Sequence, residues 1–315
     1  MKACFLFPGQ GAQYVGMGKD LYDADPEARA VFEAASDSAG FDLPKAVFDG
    51  DEENLKRTSV AQVALAAVEH SLVLALRKRG VETSAVAGFS LGEWPAMVAA
   101  GALPMETMLR LVAARGRLMD EAGARSGGSG MAAVMGLWPD EVGNALAAAG
   151  IAEAWVANRN SPTQTVIAGT EAGLALAETA LKAVGAKRVI RLKVSGAFHS
   201  PVMASAYEAF KILLDGISFD DPAVNFFSNV TGGPVRYGFD LKRLAASQIV
   251  SPVRWIDEES AMLAAGVRSC IEVGPGNVLA GLMKGAHPEV ECRACGTLAD
   301  LDAIVEALSA DERAA

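Results

Sequence analysis

Residues 85–92 read Ala85-Val86-Ala87-Gly88-Phe89-Ser90-Leu91-Gly92. The segment begins with a short apolar run, which is typical of a buried strand, and the residues that follow it to about Gly101 have a helical pattern. Between them lies Gly-x-Ser-x-Gly, in which a sharp turn after a strand holds a serine hydroxyl above the edge of a sheet. This context predicts an α/β fold with Ser90 as a nucleophile. An ordinary strand-to-helix turn with a buried serine stays open as the alternative.

The same alternation of strand and helix patterns continues on both sides of this segment. Residues 2–7 form a compact apolar run that ends at Pro8-Gly9, which predicts a buried strand followed by a glycine-rich and glutamine-rich loop. Further patterns predict helices at 26–39, 60–79 and 104–122 and a strand at 267–273. No internal repeat is visible in the sequence.

A second unit is predicted in the middle of the chain. Residues 124–130 are poor in apolar side chains and rich in glycine and serine, as linkers are. The patterns that follow predict strand, helix, strand, strand, helix and strand, which is the order of a ferredoxin-like subdomain. We therefore predict an α/β-hydrolase-like large domain, residues 1–125 and 197–315, with a ferredoxin-like α+β small domain inserted at 126–196.

Composition excludes several classes of partner and site. The chain has 315 residues, of which 51% are hydrophobic, and a net charge of −10, which opposes binding to nucleic acid or to an anionic membrane surface. No apolar run of roughly 20 residues or signal peptide is evident, so we expect a cytoplasmic protein. Four cysteines, with Cys292 and Cys295 as one C-x-x-C pair, are a weak basis for a zinc site, so we expect no metal.

A serine nucleophile needs a base, and the chain contains three histidines. His70 lies inside an apolar helical pattern, and His287 precedes Pro288 in a loop-like region. His199 lies among small residues where the chain re-enters the large domain, so it has access to a cleft. A loop histidine that caps a helix remains comparable on its own, but elimination of the other two favours His199 as the base.

One arginine is predicted to point into the protein. In helix 104–122 the helical spacing places Arg115 on the apolar stripe, whereas Arg110 and Arg117 fall on the polar side. A buried guanidinium needs an anion, which is either a protein carboxylate or the carboxylate of a ligand.

Six motifs in order over nearly the whole chain resemble the malonyl-CoA:acyl carrier protein transacylases and the acyltransferase domains of polyketide synthases. They are Phe7-Pro8-Gly9-Gln10-Gly11-Ala12-Gln13, Gly88-Phe89-Ser90-Leu91-Gly92-Glu93, Arg115-Gly116, Asn160-Ser161-Pro162, Gly196-Ala197-Phe198-His199-Ser200 and Glu272-Val273-Gly274-Pro275-Gly276. The resemblance implies a ping-pong reaction. Ser90, deprotonated by His199, takes the malonyl group from coenzyme A and passes it to the phosphopantetheine thiol of an acyl carrier protein.

The resemblance also implies roles for backbone groups. The backbone N–H groups of Gln10 and Leu91 match the family's oxyanion hole. The backbone carbonyl of Gln248 matches the group that orients the family's histidine in place of an aspartate. No cofactor is implied, since the coenzyme A thioester is a substrate.

Four further positions match the family's acyl pocket, and a fifth departs from it. Arg115 matches the arginine that binds the free carboxylate of malonate, and Phe198 matches the malonyl-selective form of the histidine motif, with little room for an α-methyl branch. Gln62 and Asn160 match polar pocket positions, where a structural hydrogen bond is as good an explanation as a substrate contact. Phe89 departs from the family, which usually has histidine before the nucleophile.

Pathway and partner surface stay open. We expect the malonyl transfer to supply fatty acid biosynthesis. A discrete polyketide synthase acyltransferase and the transacylase component of a malonate decarboxylase would carry out the same malonyl transfer, and a serine hydrolase would use the same residues on water. We expect a monomer. Lys187, Arg191 and Lys193 alternate along a predicted strand at 187–194 and are candidates for contact with an acidic carrier protein, with a solvated strand face as the alternative.

Overall fold

A computed structural model describes residues 2–314, with side chains described through residue 309. Across this range the chain forms ten strands and thirteen α-helices. The strands are β1 Lys2–Phe7, β2 Glu82–Gly88, β3 Ser129–Met135, β4 Ala154–Ser161, β5 Gln164–Thr170, β6 Arg188–Arg191, β7 Asn225–Ser228, β8 Gly233–Val235, β9 Ser269–Val273 and β10 Glu291–Cys295. The helices are α1 Lys19–Ala24, α2 Pro26–Ala39, α3 Glu52–Lys56, α4 Thr58–Lys78, α5 Glu93–Ala99, α6 Met105–Arg125, α7 Pro139–Ala148, α8 Glu171–Ala183, α9 Ala204–Leu214, α10 Gly238–Ser247, α11 Trp255–Ala264, α12 Val278–Ala286 and α13 Leu298–Ala314.

The larger sheet has six strands in the order β10-β9-β1-β2-β7-β8. All neighbouring strands in it are parallel except the edge pair β7 and β8. The central strand β1 is apolar at every position after Lys2, because both of its faces are covered. Phe5 and Phe7 pack into the core on one face, and Cys4 and Leu6 pack into the core on the other. The predicted α/β-hydrolase-like domain is confirmed.

The carboxyl ends of β1 and β2 lie side by side. Phe7 pairs with Gly88 in the parallel register, and the backbone N–H of Phe89 donates to the carbonyl of Phe7 at 2.8 Å. The loop after β1 and the turn that carries Ser90 therefore emerge together, at the edge where open α/β sheets bind their ligands.

The smaller sheet has four strands in the order β4-β5-β3-β6, and every pair is antiparallel. Helices α7 and α8 cover one of its faces, with an apolar layer that includes Val134, Ile167 and Leu174. The predicted order of strands and helices and the ferredoxin-like topology are confirmed. The domain limits 1–125 with 197–315 and 126–196 stay a prediction.

Helix α4 differs from its prediction. The sequence pattern predicted one apolar stripe over residues 60–79, but α4 spans Thr58–Lys78 and is buried on nearly all sides, against α2, α5 and α6. It is also long and apolar enough to cross a bilayer, which the sequence analysis missed, and 89% of that window is buried inside the fold. Its apolar character therefore reflects its place in the protein core.

Strand β6 is shorter than predicted. It spans Arg188–Arg191, and the last backbone hydrogen bond to the sheet comes from Leu192, which donates to the carbonyl of Met131 at 2.9 Å. Beyond Leu192 the chain leaves the sheet toward His199. The predicted strand 187–194 is therefore wrong at both ends.

Candidate active site

Ser90 lies on a strained turn between β2 and α5. A 3₁₀ turn spans Ser90–Gly92, and Ser90 has a φ of 53°, in the left-handed region that costs a residue with a side chain on the order of 1–3 kcal/mol. The flanking glycines are required because no side chain fits at either position. A Cβ at Gly88 would lie 2.0 Å from the carbonyl carbon of Gly92, and a Cβ at Gly92 would lie 2.1 Å from the carbonyl oxygen of Phe7. The turn thus holds the Ser90 hydroxyl at the edge of the sheet.

His199 follows the inserted small domain in the sequence, and its side chain contacts the Ser90 hydroxyl. Its Nε2 lies 2.8 Å from Ser90 Oγ. Its Nδ1 faces two backbone carbonyls, those of Gln248 at 2.9 Å and Ser251 at 3.1 Å. Since carbonyls only accept, Nδ1 carries the proton and Nε2 is free to accept the hydroxyl proton.

The environment of His199 keeps the imidazole neutral. Burial lowers its pKa to about 4, and the positive charge of Arg115 acts in the same direction. The two carbonyls oppose this effect by stabilising the protonated ring. A neutral imidazole at physiological pH is the form that serves as a general base.

The other two histidines lie elsewhere. His70 is buried in α4, where desolvation lowers its pKa to about 4, and His287 follows α12, with its Nδ1 3.7 Å from a carboxylate oxygen of Glu289. Neither lines the cavity around Ser90. The structure therefore brings His199 and Ser90 together and leaves the other histidines apart.

Arg115 projects from α6 into the same site and is fully buried. Its Nη1 donates to Gln62 Oε1 at 2.7 Å, and its Nη2 donates to Gln248 Oε1 at 2.9 Å and to Ser90 Oγ at 3.2 Å. In the described part of the chain it makes no salt bridge, and its Nε has no hydrogen-bond partner. Burial lowers its pKa to about 10, so the guanidinium remains charged at neutral pH. Of the two anions left open by the sequence, no carboxylate among the described residues forms an ion pair with the guanidinium, and the buried Glu93 acts on it only electrostatically, which opposes the lowering of its pKa.

A cavity of about 240 Å³ joins these groups. Its lining includes Gln10, Leu91, Asn160, Phe198 and Phe89 beside Ser90, His199 and Arg115. The structure thus collects most of the residues that the sequence singled out.

Two backbone donors at the cavity are available for a ligand. Among the described residues, the N–H groups of Gln10 and Leu91 donate to no protein acceptor. The N–H of Ser90 itself is occupied, since it donates to Asn229 Oδ1 at 2.7 Å. The oxyanion role of Gln10 and Leu91 stays a prediction, and their free donors suit it.

The polar pocket candidates differ from one another. Gln62 holds Arg115, and its Nε2 lies 3.5 Å from Met119 Sδ, so its side chain has a structural function. Asn160 is 8% exposed, and its Oδ1 is buried without a partner among the described residues. A buried, unpaired amide oxygen at a cavity wall is suited to accept a hydrogen bond from a ligand.

The aromatic candidates shape the cavity. Phe198 is buried beside His199, and Phe89 packs against Trp255 with ring centroids 5.6 Å apart. Phe89 therefore links the turn to α11 by an apolar contact.

Three buried residues behind the turn have no role predicted from the sequence, although Glu93 stands in a quoted motif, and they are Asn229, Glu93 and Glu258. Asn229 follows β7, the neighbour of β2 in the sheet, so its position after a parallel strand was the available signal. Glu93 contacts both Asn229 and Gln248. Burial raises the pKa of Glu93 to about 7 and that of Glu258 well above its usual value.

The C-x-x-C pair does not form a chelating site. Cys292 and Cys295 lie in the same strand, where residues three apart point to opposite faces. Among the described residues no group of three or more His, Cys, Asp or Glu side chains is arranged to hold a metal ion.

The strand that was predicted to carry three basic residues is shorter than predicted. Lys187 and Lys193 lie outside β6, and Arg191 forms an ion pair with Glu171 of α8 at 3.1 Å. Lys187 still donates its backbone N–H to the carbonyl of Met135 at 2.8 Å, and the contact of the three residues with a carrier protein stays a prediction.

Comparisons with known proteins identify the family of the chain. The family model of the acyl transferase domain matches residues 4–308. The malonyl CoA-acyl carrier protein transacylase of Bacillus subtilis is 39% identical over 293 residues, which cover 90% of each chain. A polyketide biosynthesis malonyl CoA-acyl carrier protein transacylase from the same organism is 37% identical over 292 residues, which cover 91% of this chain and 98% of the relative.

Solved structures give the same result. A malonyl transacylase in complex with a type II polyketide synthase acyl carrier protein superposes with a TM-score of 0.92 at 34% identity, covering 97% of this chain and 99% of the other. The structure from Vibrio cholerae of an acyl carrier protein S-malonyltransferase superposes with the same TM-score of 0.92 at 36% identity, covering 96% and 100%. The chain belongs to the malonyl-CoA:acyl carrier protein transacylase family.

Proposed function

We propose that this protein transfers the malonyl group of malonyl-CoA to the phosphopantetheine thiol of an acyl carrier protein, through a malonyl ester of Ser90. The observation that carries the proposal is the position of Ser90 Oγ, 2.8 Å from His199 Nε2 and 3.2 Å from Arg115 Nη2. A neutral base and an unpaired cation thus meet at one hydroxyl. This combination suits an acyl donor that bears a carboxylate.

In the first half-reaction His199 Nε2 accepts the proton of the Ser90 hydroxyl as Oγ attacks the thioester carbonyl. The negative charge that develops on the carbonyl oxygen is stabilised by the N–H groups of Gln10 and Leu91. The tetrahedral intermediate collapses with loss of the coenzyme A thiolate, which takes the proton from His199. Ser90 is left as the malonyl ester.

The second half-reaction runs through the same groups. His199 Nε2 accepts the proton of the phosphopantetheine thiol, and the thiolate attacks the ester carbonyl. The Ser90 oxygen leaves and recovers its proton from His199. All proton transfers use residues of this chain, and the proposal requires no cofactor.

Arg115 sets the acyl preference in this scheme. Its guanidinium forms hydrogen bonds to two glutamine oxygens and one hydroxyl but has no anionic partner among the described residues. The free carboxylate of malonate supplies that anion and forms charge-assisted hydrogen bonds with the planar fork. Acetyl groups lack this carboxylate.

Fatty acid synthesis is the pathway that we propose, in the cytoplasm and with a monomeric enzyme. The polyketide pathway is a second candidate, since a relative named for polyketide biosynthesis is 37% identical over nearly its whole length. Transfer to the carrier proteins of both pathways, measured side by side, distinguishes them by kcat/KM.

Intact-protein mass spectrometry tests the proposal. Malonyl-CoA is expected to add one malonyl group to the protein, and holo-acyl carrier protein is expected to remove it. Ser90→Ala is expected to abolish the adduct, whereas Ser205→Ala, at an exposed serine of α9, retains it. An adduct that persists in Ser90→Ala would contradict the role of Ser90. Rapid loss of the adduct without a thiol acceptor would indicate a hydrolase.

A further inference from the structure

Asn229 contacts the nucleophile turn from the protein interior. Its side chain is fully buried. Its Oδ1 accepts the backbone N–H of Ser90 at 2.7 Å, and its Nδ2 donates to the carbonyl of Gly88 at 2.7 Å. One amide therefore binds the backbone on both sides of Phe89.

The remaining polar groups of Asn229 are also paired. Its backbone N–H donates to Glu93 Oε1 at 2.7 Å, its carbonyl accepts from the N–H of Arg254 at 3.0 Å, and Nδ2 also donates to Glu258 Oε1 at 2.7 Å. If the amide were flipped, Nδ2 would face the N–H of Ser90, and Oδ1 would face two acceptors. Glu258 therefore favours the single orientation in which the amide fits the turn.

The turn needs such support because of its backbone conformation. Ser90 is in the left-handed region, which persists only where the surroundings hold it. Its carbonyl accepts from Gln248 Nε2 at 2.9 Å, so both backbone polar groups of Ser90 are held by buried side chains. Gln248 also provides the carbonyl that contacts His199 Nδ1. The nucleophile and its base are thus fixed by a connected set of hydrogen bonds.

We propose that Asn229, oriented by Glu258, is a positioning residue that holds Ser90 in its left-handed conformation and so directs Oγ toward His199 Nε2. Neither residue touches the substrate cavity. Their effect is on the reactivity of Ser90 toward any electrophile that acylates or sulfonylates its hydroxyl, so the inference goes beyond the identity of the acyl group.

The experiment compares two adjacent buried glutamates of α11. Glu258→Leu removes the acceptor that orients Asn229, and Glu258→Gln retains an acceptor oxygen of the same size. Glu259→Leu is the matched control, because Glu259 is also buried but bonds to Trp255 Nε1 at 2.8 Å and not to the turn. The rate of Ser90 labelling by phenylmethanesulfonyl fluoride is measured together with kcat and KM for malonyl transfer.

Glu258→Leu is expected to lower both the labelling rate and kcat about tenfold to a hundredfold, the loss that a misplacement of about 1 Å produces. KM for malonyl-CoA is expected to change by less than about twofold, because the cavity is untouched. Glu258→Gln is expected to restore most of the labelling rate, and Glu259→Leu to label like the wild type. Equal labelling rates for folded Glu258→Leu and Glu259→Leu would overturn the proposal.

Asn229→Asp provides a second test, which remains valid if Glu258→Leu misfolds. The carboxyl keeps an acceptor for the N–H of Ser90 but lacks the two amide donors, so labelling is expected to slow about tenfold or more. Labelling at the wild-type rate would overturn the proposal. Failure of the wild type to transfer malonyl, with these differences in labelling intact, would reject the proposed function alone.

Discussion

Replacement of Arg115 by alanine tests the basis of acyl selection. The guanidinium is fully buried and forms no ion pair in the described chain. Three of its five N–H groups are in hydrogen bonds, so a bidentate contact with malonate can combine an unpaired N–H of Nη1 with the Nη2 N–H that now contacts Ser90 Oγ. Each hydrogen bond to a charged group contributes roughly 1.5–3 kcal/mol. Two such bonds amount to about 3–6 kcal/mol, which corresponds to a loss of about a hundredfold to ten-thousandfold in kcat/KM for malonyl-CoA.

Acetyl-CoA provides the reference substrate, because it lacks the carboxylate. Its kcat/KM is expected to change much less in Arg115→Ala, so the ratio of malonyl to acetyl transfer falls. Arg110→Ala is the matched control, since Arg110 is exposed on the same helix and donates only to Thr107 at 3.4 Å. Equal losses for the two substrates would refute the reasoning, as would a malonyl loss below about threefold.

Three further changes have defined outcomes. The pKa of His199 is lowered to about 4 in the folded protein, from an unfolded value near 6.5. Because the imidazole therefore stays neutral as the pH falls from 7 to 5, kcat/KM should decline only as the pH approaches 4. Because the pKa is lower in the folded state, His199 contributes to the free energy of unfolding above pH 6.5, and this contribution is lost as the pH falls through the folded pKa. Comparison of the acid unfolding of His199→Gln with that of the wild type measures the loss. Phe198→Ala should raise methylmalonyl relative to malonyl transfer by about tenfold to a hundredfold, the value of one methyl group in a shaped pocket, as measured by competition between the two thioesters. Gly88→Ala should fail to fold or lower Tm by more than about 5 °C, since its Cβ would lie 2.0 Å from the backbone of Gly92. Gly143→Ala in α7 is the control, because its Cβ would meet only one atom, at 3.9 Å, and Tm should stay nearly unchanged.

Local patterns were sufficient for most of the fold. Strand β1 and helix α2 have the predicted limits, 2–7 and 26–39, because an apolar run bounded by turn residues and an amphipathic stripe bounded by caps are local signals. The stripe on α6 also placed Arg115 in the interior. The predictions failed where tertiary packing determines the structure. Burial on nearly all sides of α4 depends on three neighbouring helices, which no local pattern reports.

The site was predictable in part for a similar reason. Ser90 has a local motif, and few histidines competed with His199, so residues 109 positions apart could be paired by elimination. The roles of Gln10, Leu91 and Gln248 came from family resemblance, since a backbone N–H or carbonyl leaves no mark in the residue type. Asn229 and Glu258 were missed because their function depends on contacts between strand ends and helices far apart in the chain.

The backbone carbonyls at His199 Nδ1, in place of a carboxylate, suit the proposed malonyl substrate. An aspartate at Nδ1 would lie near Arg115 and compete with malonate for the guanidinium. The backbone carbonyl of Gln248 instead holds the ring, while its side-chain oxygen accepts from Arg115 Nη2 without neutralising it. The carboxyl of Glu93, which interacts electrostatically with Arg115, contacts the amide nitrogen of Gln248, and burial raises its pKa to about 7. One glutamine therefore contacts both the base and the cation and adds no negative charge beside Arg115, as the proposed binding of malonate requires.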